Sequence, residues 1–331
     1  MTRSTSRRQG AVTGEAAAPL GTWLPWLLVL SAIWGSSFLF IKVGIGELHP
    51  LYVTLGRVSF GAVALALLLL VTRQRLPSDP QAWLCNLVPA VVGISVPFTL
   101  FGFAEQRIPS LLAGIWNSAT PLFVLPMAVL VFRTERFDAR RAAGLALGCV
   151  GALVILGAWR GNGGADLAGQ LLCLGAVTCY GVNIPYTRRF VSPRPESVTV
   201  AASVQLLLAT AVMAVAAPLV TRGVPDLPAL SGEVVASIAA LGALGTGIAF
   251  VLANRLIRVA GATNASFVTY LSPVFSTLLG VLVLAEELTW NQPVGALLVL
   301  AGVAVSQGVL PWPFRRPARG NAGAPDSVAR S

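Results

Sequence analysis

The chain is 331 residues long, 55% hydrophobic and only 11% charged, with a mean hydropathy of +0.77. A soluble domain carries roughly 25% charged residues, so this is the composition of an integral membrane protein, and a large soluble domain is excluded. The net charge of +10 does not point to nucleic acid. The basic residues cluster just outside the apolar runs, where they set orientation, and no basic patch alternates with aromatics on a polar domain.

The first 22 residues are polar, carry Arg3, Arg7 and Arg8, and are expected to form a cytoplasmic tail. The apolar run behind them is too long for a signal-peptide core and lacks a small-residue cleavage pattern. A helix needs about 20 apolar residues to cross a bilayer. Runs of that order lie at 23–42, 50–72, 82–104, 110–132, 140–158, 168–187, 197–219, 233–254, 261–284 and 292–310. The separators hold nearly all the charge, and Arg57 alone lies well inside a run. With the N-terminus inside, Lys42, Arg107, Arg160 and Arg222 fall in outer segments and eighteen of the 23 basic residues in inner ones. The positive-inside rule therefore selects ten spans with both termini cytoplasmic. Cys85, Cys149, Cys173 and Cys179 all sit in apolar runs, without CxxC spacing or nearby histidines, and read as small hydrophobic residues rather than metal ligands.

Two sets of residues recur along the chain. Trp34-Gly35 followed by Lys42 returns as Tyr180-Gly181 followed by Arg188, a shift of 146 residues. Thr120-Pro121 with Glu135 returns as Ser272-Pro273 with Glu287, a shift of 152, and Gly144 and Gly151 match Gly295 and Gly302 at 151. Five spans per half is an odd number, so the second half enters the membrane with the opposite orientation. The expectation is an all-α, polytopic membrane protein whose ten transmembrane helices form two inverted five-helix repeats. Its parts are a tail (1–22), a first repeat (23–158), a linker (159–167) holding the Gly161 to Gly164 stretch, a second repeat (168–310) and a tail (311–331). A pseudo-two-fold axis in the membrane plane creates two similar half-sites at the midplane, as alternating access requires.

The stretch Trp34 to Phe38 ending in Lys42, then His49-Pro50 and Arg57, resembles the opening of the EamA-type branch of the drug/metabolite transporter superfamily. The resemblance continues through Ala113 to Pro121 with Glu135 and through Ala262 to Pro273 with Glu287, and covers about residues 23 to 310. It implies a ten-helix transporter with a central cavity, most members exporting small metabolites or amino acids, in a bacterial cytoplasmic membrane. Tyr180 departs from the Trp common at its position, and the Glu135 neighbourhood reads Arg-Thr-Glu-Arg-Phe, so substrate identity does not transfer.

An ionisable group inside a span costs several kcal/mol unless it meets water or a partner, which makes Arg57 either a site residue or a structural anchor held by neighbouring carbonyls, Glu47 or Glu105. Lys42 either reaches the cavity or snorkels to the interface. If both face the cavity, they favour a substrate with a carboxylate or another anionic group. Ser36, Ser37, Asn117, Ser118, Asn183, Gln205, Thr269 and Tyr270 interrupt apolar runs and are expected to point into the bundle. Of these, Asn117, Gln205 and Tyr270, together with Tyr180, suit a cavity wall best, with Asn183 and Ser37 as further candidates and Trp34 serving as an aromatic wall or as packing. Glu47, His49, Glu105, Glu286 and Glu287 all fall at helix ends, so no buried carboxylate relay for protons is expected.

An intramembrane enzyme is disfavoured by inventory: His49 is the one histidine, no aspartate pair lies within the spans, and no nucleophile and base stand in a supporting motif. No GxxxxGK[ST] loop occurs, so transport does not draw on ATP hydrolysis by this chain, and no cofactor is implied. The expected activity is secondary or facilitated export of small metabolites such as amino acids, the partners being the substrate and the bilayer; the sequence is also compatible with a homodimer. An uptake permease of the same fold and a membrane scaffold or sensor are the alternatives, and a scaffold has no need of mirrored half-sites.

Overall fold

The computed structural model describes residues 20–133, 138–157, 166–265 and 267–307, and among these no strand occurs. The helices are α1 (Leu20–Gly44), α2 (Pro50–Val71), α3 (Pro80–Glu105), α4 (Ser110–Val131), α5 (Ala139–Leu156), α6 (Leu167–Val191), α7 (Val198–Thr221), α8 (Gly232–Ala265), α9 (Val268–Leu284) and α10 (Asn291–Gln307). The first eight are long and apolar enough to cross a membrane, whereas α9 and α10 have 17 residues each. Their outer surfaces carry side chains that water would penalise, such as Val71 at 81% and Leu282 at 77% exposed. Burial in lipid removes that cost, and the chain is an integral, multi-pass membrane protein.

Helix starts follow local capping chemistry. Asp79, Asp138, Asp166, Ser197 and Ser231 each accept a backbone N–H of the first turn with a side-chain oxygen, which satisfies donors that have no intrahelical partner. Pro50 and Pro80 occupy first-turn positions where the missing N–H costs nothing. At the other ends Arg73, Arg133, Arg222 and Ala285 take left-handed backbone conformations, with φ of 52° to 55°, and stop α2, α4, α7 and α9. Two helices change winding midway: α3 is π-helical over Pro89–Ser95 and α8 over Ala243–Ile248. In each stretch a hydroxyl fills the widened turn, Ser95 donating to the carbonyl of Ala90 at 2.8 Å and Thr246 to that of Leu241 at 3.3 Å.

Neighbouring pairs are α1 with α9, α2 with α7, α3 with α6 and α5 with α10. The α5–α10 crossing is the tightest, because Gly144 faces the Gly302 backbone and Gly151 faces the Gly295 backbone; a Cβ on Gly144 would stand 2.5 Å from the Gly302 carbonyl oxygen. Small residues permit such approach where no hydrophobic force draws helices together in lipid. The largest buried cluster, with Trp116, Leu111, Leu112 and Ile115 at its centre, joins α4 to α3, α6 and α10.

Connections sort into two ends of the bundle. At one end Glu47 accepts the Ser231 N–H (2.8 Å) and Arg107 pairs with Asp166 (3.0 Å). At the other, Arg194 pairs with Asp79, Ser197 bonds Gln74, and Arg189 donates to the Phe132 carbonyl (2.7 Å).

One expected boundary moves. The segment Arg255 to Arg258, read as a separator, lies inside the eighth helix, which runs on to Ala265, so that α9 starts at Val268 and not near residue 261. Both arginines point outward, and Arg255 stacks on Trp26 with 4.2 Å from its guanidinium carbon to the ring centroid. Long cationic stems of this kind need no helix break. The expected C-terminal tail, most of the N-terminal tail and the linker, and Glu135 lie outside the described residues.

Candidate functional site

The π-helical stretch of α8 brings Thr246 to the level of Arg57, about a third of the way along α2. Arg57 is 8% exposed. Its guanidinium carbon lies 3.6 Å from the ring centroid of Phe98 on α3, and its Nε donates to Thr246 Oγ1 at 3.1 Å. Among the described residues no carboxylate lies within ion-pair distance of it. Tyr180 of α6 and, beyond ion-pair distance, Glu105 at the end of α3 lie within electrostatic reach of it, and the Tyr180 ring stands 6.3 Å from Phe101, which meets Phe38 edge to face at 5.5 Å. Beside this group Thr99 donates to Thr54 at 3.2 Å, and Asn183 lies against Gly93 in the π-helical part of α3. The result is a cation fixed at the level of the π stretches with aromatic rings around it. A π-helical turn inside an α-helix frequently marks a functional position, and here two of them flank Arg57, the one charge buried at that depth among the described residues.

The other sequence candidates take different places. Lys42 donates to the carbonyl oxygens of Glu105 (2.5 Å) and Ile108 (3.3 Å), where the end of α3 leaves carbonyls unpaired and concentrates negative partial charge. It ties α1 to the end of α3. Gln205 donates to Asn86 at 2.8 Å and joins α7 to α3. Trp34 packs among Trp26, Leu252, Phe267 and Leu271 as part of the α1–α8–α9 contact. Ser37 bonds back to the Ile33 carbonyl at 3.2 Å. Asn117 is half-buried at the turn that interrupts α4, and Tyr270 is half-buried against the large cluster, 6.0 Å from Phe267. Thus Arg57, Tyr180 and Asn183 assemble around the centre, while Lys42, Gln205, Trp34 and Ser37 connect helices.

Four further residues matter whose contacts the sequence does not show. Phe98 and Thr246 hold Arg57, and the only hint for Thr246 is its place between Gly245 and Gly247. Glu105 ends α3, as the sequence places it. There it is 0% exposed, with both carboxylate oxygens lacking a hydrogen-bond partner, a burial that its place at a helix end does not reveal. Glu286 was also read as a helix-end residue; its carboxylate accepts the Ser110 N–H (2.7 Å), the Ser110 hydroxyl (3.0 Å) and the Leu111 N–H (2.9 Å) at the start of α4.

The sequence profile of the EamA-like transporter family matches the chain twice, over residues 21–157 and 167–307. A "Probable amino-acid metabolite efflux pump" of Salmonella typhimurium is 25% identical over 303 residues, covering 88% of this chain and 96% of that protein. The "Uncharacterized inner membrane transporter YedA" of Escherichia coli K12 is 27% identical over 264 residues, 77% of this chain and 80% of its own length. A "Probable terminal-alkyne amino-acid exporter" of Streptantibioticus cattleyicolor is 32% identical over a shorter stretch, 39% of this chain and 43% of that protein. A solved structure titled "Crystal structure of protein" superposes with a TM-score of 0.60 at 20% identity, over 88% of this chain and 99% of the other, a likeness of fold.

Proposed function

Since the chain belongs to the EamA-like transporter family, whose members named above are transporters and not enzymes, we propose that it exports small metabolites bearing an anionic group, such as amino acids, across a bacterial cytoplasmic membrane by alternating access. The carrying observation is Arg57: a buried guanidinium, clamped by Phe98 and Thr246, with no carboxylate of the described chain as its ion pair. A planar cation fixed in this way accepts a carboxylate in two-point geometry, and the rings of Phe98, Phe101 and Tyr180 suit the apolar part of an amphipathic solute. Export as the direction rests on the names of the relatives.

Ten spans in two inverted halves, with both tails cytoplasmic, complete the reading, and several contacts that exchange partners between halves support it. Gly35 of α1 faces Ser272 and Phe275 of α9, and Gly181 of α6 faces Phe123 of α4. Gly35 and Gly181 are 146 residues apart, Phe123 and Phe275 152. The paired glycines of α5 and α10 map onto each other under the same exchange. So do the hydroxyl-filled π turns at Ser95 and Thr246, and the left-handed stops at Arg133 and Ala285.

The test is counterflow in proteoliposomes: preload one unlabelled amino acid, add it labelled outside, and repeat across a panel of acidic, neutral and aromatic amino acids. At least one carboxylate-bearing solute is expected to exchange, and Arg57→Ala to abolish that exchange while inserting normally. Exchange of none, with correctly inserted protein, would sink the transport proposal, and normal exchange by Arg57→Ala would remove Arg57 from the site.

A further inference from the structure

The transport reading leaves unused one fully buried carboxyl group and one inter-half contact, and the two adjoin. Glu286 follows the left-handed stop at Ala285, and its carboxylate folds back over Gly280. A Cβ on Gly280 would lie 2.5 Å from Glu286 Oε2 and 2.9 Å from the Leu111 Cβ, so the absent side chain makes room for both. From there the carboxylate takes the two backbone N–H groups and the hydroxyl at the start of α4, at 2.7 to 3.0 Å. A segment of the second half therefore caps a helix of the first, where an anion is favoured by unpaired donors and by the helix dipole. The turn before this helix begins at Glu105. Glu105 is 0% exposed and neither of its oxygens has a hydrogen-bond partner. The charged and titratable groups facing it are Lys42 of α1, Arg57 of α2, Cys173 of α6 and Glu286 itself; Arg107, two residues on, is engaged with Asp166. Lys42 spends its ammonium on backbone carbonyls, including that of Glu105, and not on the carboxylate.

A carboxylate buried without donors is costly, so such a group pairs with a cation or takes up a proton. We propose that Glu105 is a proton-binding site that sets a latch between the two halves: with Glu105 uncharged, Glu286 docks on the start of α4, and with Glu105 ionised, the latch releases. Two adjacent carboxylates repel in a place of low dielectric, and the ionised Glu105 also draws the Lys42 ammonium away from the Ile108 carbonyl, which loosens the turn between α3 and α4. The chemistry is one proton taken from solution by the carboxylate and one returned; no other bond changes. This deepens the alternating-access reading by naming what closes one end of the bundle, and it ties that closure to protons.

Hydrogen exchange on the purified full chain in lipid nanodiscs reads the latch directly, because the Ser110 and Leu111 amides donate to Glu286. After correction for the pH dependence of chemical exchange, their protection in the wild type is expected to fall at least about tenfold from mildly acid to mildly alkaline solution, the scale a like-charge pair at partly buried sites produces. Glu105→Gln keeps the amides protected throughout, and Glu286→Gln lowers protection at every pH. Wild-type protection that ignores pH overturns the proposal without any variant, as does a Glu105→Gln protein that retains the wild-type pH response. The measurement needs no substrate: a chain that exchanges amino acids with a pH-insensitive latch refutes this inference alone, and one with a pH-sensitive latch but no exchange refutes the transport reading alone.

Discussion

Arg57 is held from two directions, and each hold can be removed without touching the charge. Phe98→Leu deletes the ring beneath the guanidinium, a contact worth about 0.5 to 2 kcal/mol, and is expected to weaken the half-saturation of counterflow by about twofold to thirtyfold. Thr246→Val keeps the side-chain shape but leaves the Nε–H without its acceptor, which costs about 1–3 kcal/mol, so its effect on half-saturation is expected to be at least as large. Thr246→Ser restores the acceptor and should return exchange to near the wild-type level, and a Ser variant as impaired as Val would mean that the hydroxyl is not what positions Arg57. Arg57 itself is legible in the sequence because a lone charge in an apolar run stands out against lipid. Its partners are not legible: Phe98 is one of 14 phenylalanines, and a threonine between two glycines reads as helix packing. Glu105 was placed correctly along its helix, yet its burial depends on Lys42, Ile108 and a segment more than 170 residues away, a relation no local pattern encodes.

At the scale of the helix, two substitutions separate strain from packing. Ala285 ends α9 at φ 52°, a conformation that costs an L-residue roughly 1–2 kcal/mol and glycine almost nothing. Ala285→Gly is therefore expected to stabilise the protein in detergent by up to about 1 kcal/mol, read as a raised thermal midpoint. Gly302→Val places a branched side chain where the backbones of α5 and α10 meet, and overpacking of this kind costs about 1–3 kcal/mol or more; the yield of monodisperse protein should fall sharply. If Gly302→Val is tolerated without loss, α5 and α10 do not cross as described. The helices themselves are largely legible, because apolar runs bounded by charge, proline and capping residues mark eight of them to within a few residues. The eighth is longer than its apolar run, since a pair of arginines that reach outward from an unbroken helix looks, in one dimension, like a loop. The π stretches were not foreseen, because Pro89–Ser95 and Ala243–Ile248 are as apolar as their surroundings and differ only in how a hydroxyl is satisfied.

For the molecule as a whole, polar contacts at its two ends hold the connections between helices, and their charge states can be ordered. The Gln81 N–H and then the Arg194 guanidinium hold the Asp79 carboxyl below its usual range; the Arg107 guanidinium and then the Gly169 N–H do the same for Asp166, and Ser231 for Glu47. Depressed values in the folded state mean that these contributions are fully present above the ordinary carboxylate range and vanish as pH falls through the lowered values. Thermal stability in detergent should therefore decline as the solution is made acid, and because the groups lie at the surface, high salt should blunt the decline. Stability that rises on acidification would contradict the assignment. The same end contacts bear on topology. Asp79 and Arg194 meet at one end, Arg107 and Asp166 at the other, and the proposed topology, with the arginine-rich loops of the first end in the cytoplasm, is open to a labelling test. In a background without the four native cysteines, Gln106→Cys and Gly223→Cys are expected to react with an impermeant maleimide in intact cells, and Ser192→Cys only after lysis. Glu287→Cys and Glu135→Cys, equivalent positions of the two repeats, should divide in the same way, the former labelled from outside and the latter from within. Inversion requires this result, because five crossings separate each pair of equivalent residues. Equal labelling of both would leave two parallel halves, and parallel halves cannot present mirrored half-sites to the two faces of the membrane.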